Sequence, residues 1–486
     1  MNRTSRHLFV VVLVMFLSLM ASLTYTQFFQ AGALNADGRN TRTIYREYGR
    51  DRGPIVVAGT PIASSAPVDD VFKFQRSYPD GPTYAHVTGY FSTAFNALTG
   101  VERAENEVLN GTSTSFLLQR VQSLFTGEQP QGGVVELTLN PAVQAAARDG
   151  LNGRRGAVVA LEPATGRVLA HYSSPSYDPN GLATHVRADA NAYLEQVQAD
   201  ENRPMIDRAI AGDQEPPGSV FKVVTAAAMI QAQGLTPDSQ VVGSTTLALP
   251  QSNNVIHNDG GAACGGPGDT TSLRTAFAES CNTTFAQGAM DVGAAQMQAM
   301  AQAFGFDTAL ATPLTVTPSR YPTPESAAET AMTGIGQASV RATPMQMAMV
   351  AAAVANDGQI MRPYLINREL SADLDVVSET APAEMSRPIT AETAATLTSL
   401  MESVVTDGSG RRASVQGVRV AGKTGTAEIG GGHLPTVWFI GFAPADDPKI
   451  AVAVMLEDAG GAGVGATGGV VAAPIAQKVL AAGVTP

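Results

Sequence analysis

Pro216-Pro217-Gly218-Ser219-Val220-Phe221-Lys222 leads into an apolar stretch that runs from Val223 to Gln231. Paired prolines suit the approach to a helix, whose first N–H groups have no intrahelical partner to lose. The serine then falls in the first turn, and Lys222, three residues on, lies on the same face one turn away. A serine hydroxyl is a poor nucleophile until a base takes its proton. A buried lysine can be that base when desolvation or a neighbouring cation lowers its pKa. The positive end of the helix favours a developing alkoxide. The plain alternative is an ordinary helix start with a solvated lysine, and Ser-x-x-Lys occurs once in the chain.

Two further stretches stand downstream. Ser280-Cys281-Asn282 ends a helical pattern over residues 273–278, offering a hydroxyl to relay a proton and an amide to bond a peptide. Its spacing alone says little, because Ser252-Asn253-Asn254 repeats it. Lys423-Thr424-Gly425-Thr426 follows the strand-like Val418-Arg419-Val420-Ala421. On a strand, Lys423 and Gly425 share one face, so the lysine can enter a cleft where the glycine lets a substrate backbone approach. A second lysine near Lys222 would bind a carboxylate and disfavour a proton on the first. The plain reading of this stretch is a surface turn. Lysine is scarce here, five against 26 arginines, so the positions of Lys222 and Lys423 carry weight.

The 486 residues are 44% hydrophobic and 15% charged, which provides for a sizeable core and excludes a disordered chain. A net charge of −12 argues against a protein that coats nucleic acid. Two cysteines exclude a disulfide scaffold and a structural zinc site. The six histidines (His7, His86, His171, His185, His257, His433) have no ligand or triad spacing, and His433 reads as a loop residue.

Residues 8–23 are apolar apart from Ser18 and Ser22, with Arg3 and Arg6 before them. That run spans about 24 Å as a helix, and continuing through Tyr25, Phe28 and Phe29 reaches the ~30 Å of a bilayer core. A cleaved leader is the rival, with Ala31-Gly32-Ala33 as its cleavage pattern, though far beyond the apolar run. Arg39, Arg42 and Arg46 follow closely and blur the charge bias. Both readings export the chain. After a mixed segment to about residue 130, residues 134–139 alternate as a strand and Asn140 opens a helix over 141–151. Residues 157–161 and 167–170 form a hairpin. Helical patterns fill residues 219–405, and strands return at 418–421, 437–442 and 450–456 before a helix at 473–482. Strands at both ends with helices between predict an α+β domain.

The order Ser-x-x-Lys, Ser-x-Asn, Lys-Thr-Gly resembles that of penicillin-binding proteins and serine β-lactamases. The chain is similar over nearly its whole length to class B penicillin-binding proteins, of the short A type of actinobacteria. Arg76-Ser77-Tyr78-Pro79, Ala85-His86-Val87-Thr88-Gly89-Tyr90 and Val437-Trp438-Phe439-Ile440-Gly441-Phe442-Ala443-Pro444 carry the likeness beside the three motifs. The resemblance implies a penicillin-binding/β-lactamase-like transpeptidase domain, an antiparallel sheet flanked by helices. It implies a cytoplasmic tail (1–7), a transmembrane anchor (8–29), a dimerisation-like or pedestal module (30–130) and the transpeptidase domain (131–486). The expected localisation is the cell membrane, single-pass, with the N-terminus in the cytoplasm and the catalytic domain outside.

On the same resemblance, Ser219 attacks a D-Ala-D-Ala stem peptide, Lys222 is the base and Ser280 relays the proton. Asn282 holds the stem-peptide amide, and Lys423, Thr424 and Thr426 the terminal carboxylate, with Gly425 in the same binding strand. The N–H groups of Ser219 and Thr426 form the oxyanion hole. No metal or other cofactor enters. The implied partners are peptidoglycan stem peptides, lipid-linked precursor glycan strands, β-lactam antibiotics, the membrane and a polymerase of the shape, elongation, division and sporulation family. Nucleic acid is not among them. Cys264 and Cys281, 17 apart in an exported domain, are a disulfide candidate that would contribute about 3 kcal/mol on the chain-entropy model. Two buried thiols are the alternative.

Decoys are present. Residues 417–424 match G-x-x-x-x-G-K-[ST], but the helix that must follow is replaced by Gly430-Gly431-Gly432. Gly463-Val464-Gly465-Ala466-Thr467-Gly468 matches G-x-G-x-x-G with no room for a βαβ unit after it, and reads as a loop at the cleft rim. A class A β-lactamase is disfavoured because no glutamate between Asn282 and Lys423 has asparagine four residues on. A D,D-carboxypeptidase differs only in using water in place of the amine. A scaffold that keeps the site without using it is the non-enzymatic alternative, whereas a sensor lacks a cytoplasmic domain.

Overall fold

The computed structural model describes residues 3–30, 48–116, 131–463 and 465–485. The cleavage pattern at Ala31-Gly32-Ala33 and the arginines Arg39, Arg42 and Arg46 lie outside them. Residues 5–29 form a helical segment long and apolar enough to cross a membrane. Its apolar side chains are exposed to the surroundings, as a lipid-facing helix requires.

Five antiparallel strands build the central sheet, in the order Ala421–Ala427, Thr436–Ala443, Ile450–Leu456, Gly156–Leu161 and Val168–Ser174. The three middle strands are buried along their whole length. Their sequences are unbroken apolar runs because helices cover both faces, so no solvent side calls for polar alternation. Period two survives in the packing. Val159, Ile440, Ala453 and Trp438 join the large helical core, whereas Val158, Val437, Phe439 and Val454 face the terminal helices.

Those terminal helices are Pro141–Leu151 and Ala473–Val484. Asn140 caps the first, its side-chain oxygen accepting from the N–H groups of Ala142 and Val143 at 2.9 and 3.2 Å. On the opposite side, Lys222–Gln233 is buried from Lys222 to Ile230 and packs among Asn282–Val292, Ala294–Ala303 and Ala391–Thr406. One helix is thus sunk in the core, and it carries the lysine predicted to be buried.

A second sheet has six strands, in the order Val376–Glu379, Ile366–Leu370, Val134–Leu137, Ile55–Val57, Thr60–Pro67 and Phe74–Ser77. This sheet draws strands from both sides of residue 130. Val134–Leu137 runs parallel to Ile55–Val57 and antiparallel to Ile366–Leu370. Strand alternation marks a strand but not its partner, so the pairing of strands across residue 130 could not be read from texture alone.

Beneath this sheet lies a buried ion cluster. Glu102 accepts from Arg52 Nε at 2.5 Å and from Arg76 Nε at 2.6 Å, with all three side chains 3% exposed or less. Tyr78 donates to Glu102 at 3.2 Å and accepts from the Phe91 N–H. Arg76 also donates to the carbonyls of Arg52 and Gly53. The Arg76-Ser77-Tyr78 stretch quoted above is therefore a structural staple of this module.

Candidate active site

Ser219 sits in a 3₁₀ turn, Gly218–Phe221, that feeds the buried helix at Lys222. The sequence placed it in the first α-helical turn, and the tighter turn differs by a small rotation only. Gly218 has φ +54, and a Cβ there would lie 2.9 Å from the Thr426 carbonyl. Its N–H donates to Gly336 O at 2.9 Å, and the Trp438 indole holds the Pro216 carbonyl at 3.1 Å. The turn is thereby fixed on three sides.

Gly336 was not anticipated from the sequence. Its φ is +71, and a Cβ would stand 2.2 Å from Gly218 O. Replacing Gly336 by alanine is therefore expected to push the nucleophile turn out of register and to slow penicillin acylation at least about tenfold. Stopped-flow measurement of adduct formation tests this, and an unchanged rate would show that the turn tolerates the displacement.

The strand Ala421–Ala427 contains the whole Lys-Thr-Gly stretch; the strand predicted at residues 418–421 begins three residues later, because Val418 closes a turn with Val415. It is the outer strand of the sheet, and it runs past the nucleophile turn. A Cβ on Gly425 would meet the Pro217 carbonyl at 3.0 Å and the Val220 N at 3.1 Å, so glycine lets the strand and the turn approach closely. A lysine within an edge strand also rules out the phosphate-loop reading, which places that lysine at a helix start.

Ser280 is the C-cap of helix Leu273–Glu279, in the left-handed region at φ +64, and Asn282 begins the next helix, Asn282–Val292. That kink projects both side chains toward the lysines. Lys222 Nζ donates to Ser280 O at 2.7 Å, Ser280 Oγ at 3.2 Å and Asn282 Oδ1 at 2.7 Å. Lys423 Nζ donates to the same Ser280 Oγ at 2.8 Å and to Thr424 O at 3.1 Å. The Ser219 hydroxyl makes no hydrogen bond among the described residues; in this geometry Lys222 is turned to Ser280 and Asn282. The decoy Ser252-Asn253-Asn254 closes on itself as an exposed turn.

Both lysines are fully buried. Burial drives the Lys222 pKa well down, and the Lys423 charge drives it further. Burial brings Lys423 down to about 7. The Asp259 carboxylate works against this in both. The site therefore holds one proton readily and a second with difficulty, which suits a base beside an anion-binding cation.

Thr424 and Thr426 lie beside Lys423. Ser409 Oγ is 2.6 Å from Thr424 Oγ1, and the Gly468 N–H meets Thr426 Oγ1 at 3.4 Å. Ser409 was missed, and only its place between Gly408 and Gly410 in a glycine turn could have marked it. Gly468 ends the glycine-rich stretch expected at the cleft rim, of which Val464 lies outside the described residues. Cys264 and Cys281 are joined by a disulfide that ties the loop after residue 257 to the Ser280-Asn282 kink. His433 lies in the exposed turn between the edge strand and its neighbour. His171, by contrast, pairs with Asp207 at 2.8 Å, away from the site residues and across a spacing that no motif reveals.

The Ser219 turn, two buried lysines meeting on one serine, and an edge strand beside them come together here, and the chain belongs to the penicillin-binding protein transpeptidase family. Residues 156–481 match the penicillin binding protein transpeptidase domain, and residues 52–135 the penicillin binding protein A dimerisation domain. The chain is 46% identical to peptidoglycan D,D-transpeptidase PbpA of Mycolicibacterium smegmatis, covering 99% of each chain. It is 43% identical to the PbpA of Mycobacterium tuberculosis at the same coverage. Penicillin-binding protein A from M. tuberculosis in its ceftriaxone acyl-enzyme complex matches the fold with a TM-score of 0.87 at 41% identity. That match covers 91% of this chain and 100% of the other.

Proposed function

We propose that this chain is a peptidoglycan D,D-transpeptidase that works through an acyl-enzyme on Ser219. The observation that carries the reading is the meeting of Lys222 and Lys423 on Ser280 Oγ, at 3.2 and 2.8 Å, beside the Ser219 turn. Ser219 Oγ attacks the carbonyl of the penultimate D-Ala of a stem peptide, and neutral Lys222 takes its proton. The Ser219 and Thr426 N–H groups receive the oxyanion. Ser280 passes a proton to the departing D-Ala amine as the peptide C–N bond breaks and leaves the acyl ester. An amine of a second stem then attacks the ester, forms the cross-link and releases Ser219.

Lys423, Thr424 and Thr426 hold the terminal carboxylate in this scheme, with Gly425 allowing the donor backbone to lie along the strand. Asn282 lends an amide to the stem peptide. β-Lactams acylate the same serine and stay. The apolar helix at residues 5–29 anchors the chain, with its N-terminus in the cytoplasm and the catalytic domain outside. The module expected over residues 30–130, together with the strands that complete its sheet, forms a pedestal that presents the site to glycan strands and a membrane polymerase.

The test is the full-length chain in detergent with penicillin G, read by intact mass and peptide mapping. One persistent adduct on the peptide that contains Ser219 is expected. An adduct on another residue, or rapid turnover of the antibiotic, overturns the assignment. A D-Ala-D-Ala pentapeptide supplied with a free D-amino acid should give exchange product in excess of hydrolysis product; hydrolysis alone would mark a carboxypeptidase.

A further inference from the structure

The loop at residues 257–259 faces the catalytic lysines, and its anchoring is unusual for an exposed loop. Asn258 is only 6% exposed. Its amide nitrogen donates to Ser244 O at 2.9 Å and to Ala262 O at 3.1 Å. Its oxygen accepts from the Thr283 N–H at 3.1 Å and from the Thr283 hydroxyl at 3.2 Å. The oxygen of that side chain is thus tied to the helix start just after Asn282, and its nitrogen to the backbone on either side of the loop. His257 and Asp259, its two neighbours, are thereby held over the Asn282 amide.

Asn282 has one orientation consistent with these partners. Its Nδ2 donates to His257 O at 2.9 Å and to Asp259 Oδ1 at 3.4 Å. Its Oδ1 is then left for Lys222 Nζ at 2.7 Å. A carboxylate and a carbonyl can only accept, so they select the amide nitrogen and turn the oxygen toward the lysine.

Resting on the acyl-enzyme reading above, we propose that Asp259 is a positioning residue for the acylation step: it keeps the Asn282 oxygen on Lys222 and holds a negative charge beside the two buried lysines. The groups that face Lys222 are Lys423 from the edge strand, Ser280 and Asn282 from the helix kink, the Phe285 ring from the following helix, and Asp259 from the loop. Lys423 is faced by Lys222, Ser280, the Phe277 ring and Asp259. Burial lowers the proton affinity of both lysines, and Asp259 is the carboxylate that offsets it in both. Removing that charge lets Lys222 shed its proton at lower pH, and Lys423 likewise. Both limbs of the acylation profile then move toward acid.

The experiment measures the rate constant for acylation by a fluorescent penicillin from about pH 5 to pH 10. It uses the full-length chain in detergent and compares wild type, Asp259→Asn and Asp259→Glu. Asp259→Asn is expected to displace the profile toward acid, with the rate on the acidic limb, relative to its own maximum, roughly threefold above wild type. Asp259→Glu should restore the wild-type profile. High salt should move the wild-type profile in the same direction as Asp259→Asn, because the carboxylate is exposed and can be screened.

Superimposable profiles for Asp259→Asn and wild type overturn the proposal. So does a uniform fall in rate at every pH, which marks a merely structural role, or a glutamate variant displaced as far as the asparagine. These outcomes leave the wild-type adduct on Ser219 intact. Loss of that adduct in the wild type overturns the acyl-enzyme reading and this proposal together.

Discussion

Lys222→Met is expected to slow acylation by penicillin about 10²–10⁴-fold, the range over which a positioned general base contributes. Methionine keeps the length and apolar stem of lysine and loses only the amine. The effect should therefore reside in the proton transfer and not in a collapsed helix. The buried position makes neutral lysine accessible: burial lowers its pKa, Lys423 adds to this, and Asp259 opposes both. The charge of Lys423 bears on Lys222, so the first proton the pair releases comes from Lys222.

In the wild type the rate should rise as pH climbs through the depressed Lys222 value. It should fall again as Lys423, at about 7, loses the charge that holds the carboxylate. The methionine variant should lose the rising limb and keep the falling one. Stopped-flow acylation across the pH range tests both statements. A loss smaller than tenfold, or an intact rising limb, would assign the base elsewhere.

Glu102→Gln is expected to destabilise the module around the six-stranded sheet by about 3–5 kcal/mol, the usual consequence of leaving buried charge without its partner. The substitution keeps the shape of the side chain but leaves Arg52 and Arg76 facing each other with no counter-charge. Burial alone would raise the Glu102 pKa; Arg76 and Arg52 outweigh it and hold it below the ordinary glutamate value. A carboxylate depressed in the folded state contributes stability that is complete above its unfolded pKa and lost as pH falls through the folded one. The wild-type module should therefore lose stability progressively as pH falls from the normal glutamate range down through the lower folded value, and the variant should lack this dependence. Thermal unfolding of both proteins as a function of pH measures it. A change under about 1 kcal/mol would mean that the unfolded state or solvent compensates the arginines.

Much of the chemistry could be read along the chain because its elements are local. Ser219 and Lys222 are three apart, and one turn of helix puts them on one face. Lys423 and Gly425 share a strand face by the period of two. The strands at residues 450–456 and 437–442 and the helix after Asn140 follow from apolar runs and a cap, and the structure reproduces them within a residue or two. The apolar segment at residues 8–29 declares its own length.

What the chain could not announce depends on partners far apart in sequence. Ser219 and Ser280 were matched to Lys423 by the order of motifs alone. The convergence of Lys222 and Lys423 on the Ser280 hydroxyl depends on an edge strand of a five-stranded sheet lying against a helix buried among others. Gly336 acquires its role only because its φ and its carbonyl neighbour at Gly218 meet across the nucleophile turn. Asp259 and Ser409 lie in ordinary-looking turns until the fold sets them beside Asn282 and Thr424. The sheet that joins Val134–Leu137 to Ile55–Val57 and Ile366–Leu370 draws its strands from both sides of residue 130. Period and propensity specify one element at a time, through neighbours a few residues away. Hydrogen-bond pairing, burial and the pKa of a lysine are set by whatever the whole chain packs around it, and those quantities exist only once it has folded.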